Sequence, residues 1–181
     1  MWRALCIACL FLLTLAGCKH ETTRPAGTSS CPNGAVKWSN GHCYEAVLAP
    51  GLSWYDAKAA CEARGGHLAT IGSEQENAFV FNLVSHINAF WYLDSYYNGL
   101  GPWLGGYQPT GSQEPDGGWQ WVTGEPFVYT NWETGQPDNA NPLGQDALRF
   151  FKGGGLIGDH WDDSEAYNPV EHRMGYICEY E

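Results

Sequence analysis

The chain has 181 residues and carries 20 Asp and Glu against 9 Lys and Arg, a formal net charge of −11 at pH 7. A surface of that sign repels nucleic acid and anionic membranes, so neither is expected as a partner. Clustered acids do attract divalent cations, and the nine Trp and ten Tyr carry polar handles that suit sugar and protein surfaces as well as a core.

Met1-Trp2-Arg3 precedes an apolar run from Ala4 to Ala16. That run is too short to span a bilayer and has the charged start and apolar middle of a secretory signal. It ends Leu15-Ala16-Gly17-Cys18, which resembles a bacterial lipobox. The resemblance implies a signal over residues 1–17, acylation of Cys18 and export as a bacterial lipoprotein; Lys19 after the cysteine favours the outer membrane or cell surface. Residues 18–30 are polar, with Pro, Gly, Ser and Thr and no apolar period, and read as a flexible tether. Residues 31–181 are then one domain with enough chain to bury a core. Seven cysteines fit this division. Cys6 and Cys9 leave with the signal and Cys18 carries lipid, so Cys31, Cys43, Cys61 and Cys178 remain as an even set for two disulfides, in any of three pairings.

Within the domain, Lys37 to Val47 alternates apolar and polar residues around Asn40-Gly41, a hairpin signal that brings Cys31 and Cys43 near each other. Ser53 opens a first helix with Asp56 in capping position. Trp54, Ala57, Ala60, Cys61 and Arg64 follow helical spacing, and Gly65-Gly66 stops it. His67 to Ile71 reads as a short strand. Ser73 and Glu76 form a capping box for a second helix, whose apolar stripe is Phe79, Val80, Leu83, Val84 and Ile87.

From Asn88 to Gly144 the chain is rich in Gly, Pro, Asn and aromatics. A loop region of that length in a compact domain is commonly functional, and its aromatic content argues against disorder. Short strands are expected inside it at Trp103-Leu104-Gly105, Trp119 to Val122 and Phe127 to Tyr129. Met174 to Tyr180 closes the domain as a strand carrying Cys178.

Taken in order, these segments resemble the C-type lectin-like domain. Trp54 through Ile71 with Ser73-Glu74 is similar to the family's first helix and its approach to the second. Trp103-Leu104-Gly105-Gly106 resembles the WIGL strand, and Tyr129-Thr130-Asn131-Trp132 the segment before the sugar motif. Trp161-Asp162-Asp163 resembles WND, and Tyr176-Ile177-Cys178-Glu179 the closing FICE strand. The resemblance spans residues 31–181. It implies an α+β fold of two helices, small antiparallel sheets and a long loop region, with Cys61–Cys178 and Cys31–Cys43 as the disulfides. The family's usual inner disulfide has no counterpart, because Ala147 and Ala166 stand at both of its positions.

The resemblance also implies a calcium site. Its ligands carry over to Gln136 and Asp138 around Pro137, then Gln145, then Asp162 and Asp163; Gln136, Asp138, Gln145 and Asp162 are the implied carbohydrate-binding residues as well. A hard cation held by oxygens from separate loops fits this set. Gln145 stands where glutamate is usual and Asp162 where asparagine is usual. A carboxylate accepts only, whereas an amide also donates, so the two pairs follow the same order again, and standard galactose selectivity is not expected. Asn139 and Asp146 read as loop-capping residues. Glu114, Asp116 and Glu125 read as solvated.

Three classes of function are separated on these grounds. A calcium-dependent lectin module on a lipid anchor, binding glycans or glycoproteins, is the first. A calcium-independent protein-binding or adhesion module of the same fold is the second. An enzyme is excluded on motif grounds, since His67, His160 and His172 lack metal-ligand spacing and no nucleophile elbow or phosphate loop is present.

Overall fold

The computed structural model describes residues 30–167 and 175–181. The signal, the tether, Cys18, His172 and Met174 lie outside the described residues. Cys31–Glu181 forms one compact unit, and no helix among the described residues is long and apolar enough to cross a membrane.

The N-terminal hairpin pairs β1 (Val36–Lys37) with β2 (Cys43–Val47). Gly41 takes the left-handed backbone the turn requires, at φ 96°. Helix α1 (Trp54–Ala63) starts at Ser53, whose hydroxyl accepts from the Asp56 amide; it buries Trp54, Ala57 and Cys61 and gives way to Gly65 at φ 82°. Helix α2 (Glu74–Asn82) starts at Ser73, which accepts from the Glu76 amide. The reciprocal half of the expected capping box is absent. The Glu76 carboxylate accepts instead from the Gly72 amide (2.7 Å) and from the Tyr44 hydroxyl (2.5 Å), so the residue is buried and serves the core rather than its own helix end. The apolar stripe is also shorter than expected: Val80 and Val84 are buried, but Ile87 lies beyond the helix and is exposed.

The nine strands among the described residues form one connected sheet, in the order β1-β2-β9-β5-β7-β8, rather than separate small sheets. β9 (Tyr176–Tyr180) pairs with β2, and with β3 (His67–Leu68), antiparallel. It meets β5 (Gly99–Tyr107) in parallel at Trp103 and Tyr176. β3 is shorter than the expected His67–Ile71 strand because the Thr70 amide donates to the Glu179 side chain (2.9 Å) instead of a ladder partner. β5 is longer than its Trp103-Leu104-Gly105 core. A Cβ on Gly105 would lie 2.6 Å from the Leu68 carbonyl oxygen, so the close approach of β3 and β5 demands glycine there. β4 (Tyr92–Leu93) and β6 (Gln120–Trp121) flank β5, and β7 (Ala147–Lys152) pairs with β8 (His160–Ser164).

Phe127 to Tyr129 forms no strand. Its rings join an aromatic cluster that holds the long loop to the sheet: Trp121 and Phe127 are 4.7 Å apart, Trp119 and Trp132 4.9 Å, and Tyr129 and Trp161 5.5 Å. Trp161 of β8 is fully buried and donates from its indole to Asn77 of α2. The disulfides are Cys31–Cys43 and Cys61–Cys178. Ala147 and Ala166, at the positions of the missing inner bridge, are buried beside Trp54 and Trp103.

A candidate binding cavity under the long loop

The β7–β8 ladder places Leu148 and Phe150 in the core and turns Arg149 and Phe151 to the opposite face, as the two-residue strand period dictates. Arg149 stands directly across from Asp162 in the register. Its Nε and Nη2 donate to the same Asp162 oxygen, at 3.0 and 2.6 Å, and both residues are buried, 6% and 4% exposed. Burial pushes the Asp162 carboxyl up to about 6; Arg149 pulls it down, and the charges of Asp163 and Asp138 add to the rise.

Asp163 faces the other way and is fully buried. Its two carboxylate oxygens accept from the backbone amides of Asp138 (3.0 Å) and Asn139 (2.7 Å). The long loop is thereby tied down just after Gln136-Pro137, whose peptide bond is cis. Burial raises the Asp163 carboxyl as well, with these amides opposing the rise. Gln145 closes the loop, donating from its side chain to the Asp163 carbonyl (3.1 Å) and from its backbone to Asn139 Oδ1 (2.9 Å). Asn139, at φ 44°, is the loop cap expected of it. Glu125 is exposed but not merely solvated, since the hydroxyls of Thr70 and Thr123 lie 3.1 and 3.2 Å from its carboxylate.

Gln136, Asp138, Gln145 and Asp162 therefore come together on one cavity of about 540 Å³, which Arg149, Tyr92, Asp94 and Tyr96 also line. Asp163 is not among the lining residues. Several of the five residues implied as calcium ligands are engaged by protein groups in this structure. Calcium takes roughly six to eight oxygen ligands. Here a guanidinium holds Asp162, backbone amides hold both oxygens of Asp163, and the Gln145 amide covers the Asp163 carbonyl. A fixed positive charge, the Arg149 guanidinium, thus stands beside Asp162 within the set.

A profile of the Lectin C-type domain matches residues 51–179. The chain belongs to the C-type lectin domain family. The family consists of binding proteins rather than enzymes and has carbohydrate-binding members. The chain is 29% identical to a perlucin-like protein of Mytilus galloprovincialis over 95% of both chains. It is 32% identical to regenerating islet-derived protein 3-gamma of Homo sapiens over 96% of this chain and 91% of that one. Among solved structures, a calcium-independent type II antifreeze protein (TM-score 0.60, 24% identity, 83% and 93% covered) and a Ca2+-dependent one (0.61, 26%, 83% and 100%) resemble it equally. The C-type lectin fold thus accommodates both behaviours, and the local residues decide between them.

Arg149 was not among the residues singled out from the sequence. Its signal is there: one cation inside the apolar run Ala147-Leu148-Arg149-Phe150-Phe151 calls for a buried anionic partner. Tyr96 carried no local signal, since its role depends on where the β4–β5 turn lands.

Proposed function

We propose that this chain is a carbohydrate-binding module whose long-loop cavity engages glycans directly, without a calcium bridge. The carrying observation is the buried Arg149–Asp162 pair inside the implied ligand set. Removing two charges from water is costly unless each meets the other, and a calcium ion at Asp162 would stand beside a guanidinium of like charge. The cavity's polar groups suit hydroxyls, and family membership favours a glycan ligand.

The test is a glycan array and a thermal melt, each run with calcium and with EDTA. Binding and melting temperature should be the same in both; a fall of either in EDTA overturns the reading. A protein ligand is the second reading, favoured by the exposed Tyr97 and Leu143 near the cavity-lining Tyr96 and Pro142. An array without hits, alongside a protein ligand retained in EDTA, would select it.

The reading extends to display on a membrane by lipid on Cys18, after export from a bacterial cytoplasm, and it rests on the Leu15-Ala16-Gly17-Cys18 sequence. Labelled palmitate should enter the wild-type chain and not Cys18→Ala. Equal labelling of both, or of neither, removes the anchor from the proposal.

A further inference from the structure

We propose that a second cavity, between α1 and the end of β5, is a site for a small quaternary ammonium ion, held by aromatic rings and by Asp146. It shares no lining residue with the cavity under the long loop and stands independently of the glycan reading.

The start of α1 and the end of β5 build its walls. Trp54 turns inward, and its indole donates to the Leu104 carbonyl (2.7 Å). The next residue, Tyr55, is 43% exposed and is held by Tyr167, with ring centroids 4.5 Å apart. Tyr107 ends β5 with its ring 5.6 Å from that of Trp54, and Pro109 completes the apolar lining. The cavity, at about 320 Å³, lies at the small end of the roughly 300–1,000 Å³ of small-molecule sites.

Asp146 is the one acid among the described residues that line it. Backbone fixes its place. The Gln108 amide donates to the Asp146 carbonyl (2.9 Å), and the β5–β7 ladder sets Tyr107 opposite Ala147, the next residue. Asp146 is half-buried, so solvent still reaches it. Burial raises its carboxyl pKa, and no cation or hydrogen-bond donor opposes the rise. Lys58 also lines the cavity, but it pairs with Glu62 one helical turn further on. Asp146 therefore has no protein cation as its partner.

Three rings, a proline and one unpaired carboxylate suit a cation that carries a carbon surface. A hard metal ion takes about six to eight oxygens, which aromatic walls do not supply. A bare ammonium ion would lose hydrogen bonds to water that the rings cannot replace. A methylated ammonium spreads its charge over C–H groups, which rest on ring faces and are attracted by their negative quadrupole, while Asp146 provides the counter-charge. An anion would be repelled by the carboxylate and by the ring faces alike.

The experiment is calorimetric titration and saturation-transfer NMR of the full chain at fixed ionic strength. The probes are choline and its neutral carbon analogue, with a tert-butyl group in place of trimethylammonium. Choline should bind, with the neutral analogue about ten-fold weaker or absent. Asp146→Asn should lose about ten-fold in choline affinity and Tyr107→Leu about three- to ten-fold. Tyr96→Ser, at the other cavity, should be unchanged. Melts check that each variant folds; if Tyr107→Leu does not, Asp146→Asn decides. Equal binding of choline and its neutral analogue makes this a plain apolar slot and overturns the inference. Asp146→Asn matching wild type, or no choline binding, overturns it as well. Competition by phosphatidylcholine vesicles assigns the ion to a lipid headgroup and its absence assigns it to a free solute; both uphold the ammonium site.

Discussion

Replacing Arg149 by methionine keeps much of the side-chain volume but leaves the Asp162 carboxylate buried against Asp163 and Asp138 without its partner. Breaking a buried pair from one side costs about 3–5 kcal/mol, whereas replacing both partners by apolar groups is often near neutral. Arg149→Met should therefore lose about that much in urea unfolding, and Arg149→Met with Asp162→Leu should recover most of it. A double variant no more stable than the single one would mean that the two residues act separately. The same pair marks where reading residues alone fell short. Asp162 and Arg149 are thirteen positions apart, and their adjacency comes from the β7–β8 register, which no local pattern specifies. Asp162 in place of the family's usual asparagine has its physical reason in this partner: a buried guanidinium asks for a carboxylate.

At the scale of elements, the two helices were legible because their signals are local. The Ser53 cap, its apolar period and the Gly65 stop lie within about a dozen residues, and the Ser73 cap lies close to the start of its own apolar stripe at Phe79. Ser73→Ala removes an oxygen that accepts the Glu76 amide and should cost about 1 kcal/mol by thermal or urea unfolding; no loss would show that Glu76, anchored to Gly72 and Tyr44, holds the helix end by itself. Strands were less legible. β7 owes its boundaries to β5 as well as to β8, and β3 ends where the Glu179 side chain takes the Thr70 amide. Phe127 to Tyr129 has the composition of a strand, yet its rings are worth more in the aromatic cluster around Trp161 than its backbone would be in a ladder.

Across the whole molecule, β2 near the start of the domain and β9 at its end are joined by side chains as well as by backbone. His42 Nδ1 lies 2.7 Å from Glu179 Oε1, and the Tyr44 hydroxyl donates to the same network. Burial lowers the His42 pKa, but the hydrogen bond it donates to Glu179 and the charges of Glu179, Glu181 and Glu76 together raise it above 6.5. A raised histidine contributes stability that is fully present below its unfolded value and is lost as pH rises through its folded value. The melting temperature should thus climb as pH falls through the raised folded value toward the unfolded one, and His42→Gln should flatten that climb. An identical slope in the variant would assign the trend elsewhere. The Cys61–Cys178 bridge, with a sequence separation of 117, closes this arrangement by tying α1 to β9, and it follows the family resemblance rather than anything readable from spacing.

The positive charge beside Asp162 is part of the polypeptide. It cannot be chelated away or exchanged for magnesium, but it can be unpaired: burial raises the Asp162 carboxyl to about 6, so acidification below that value would neutralise the partner and loosen the pair.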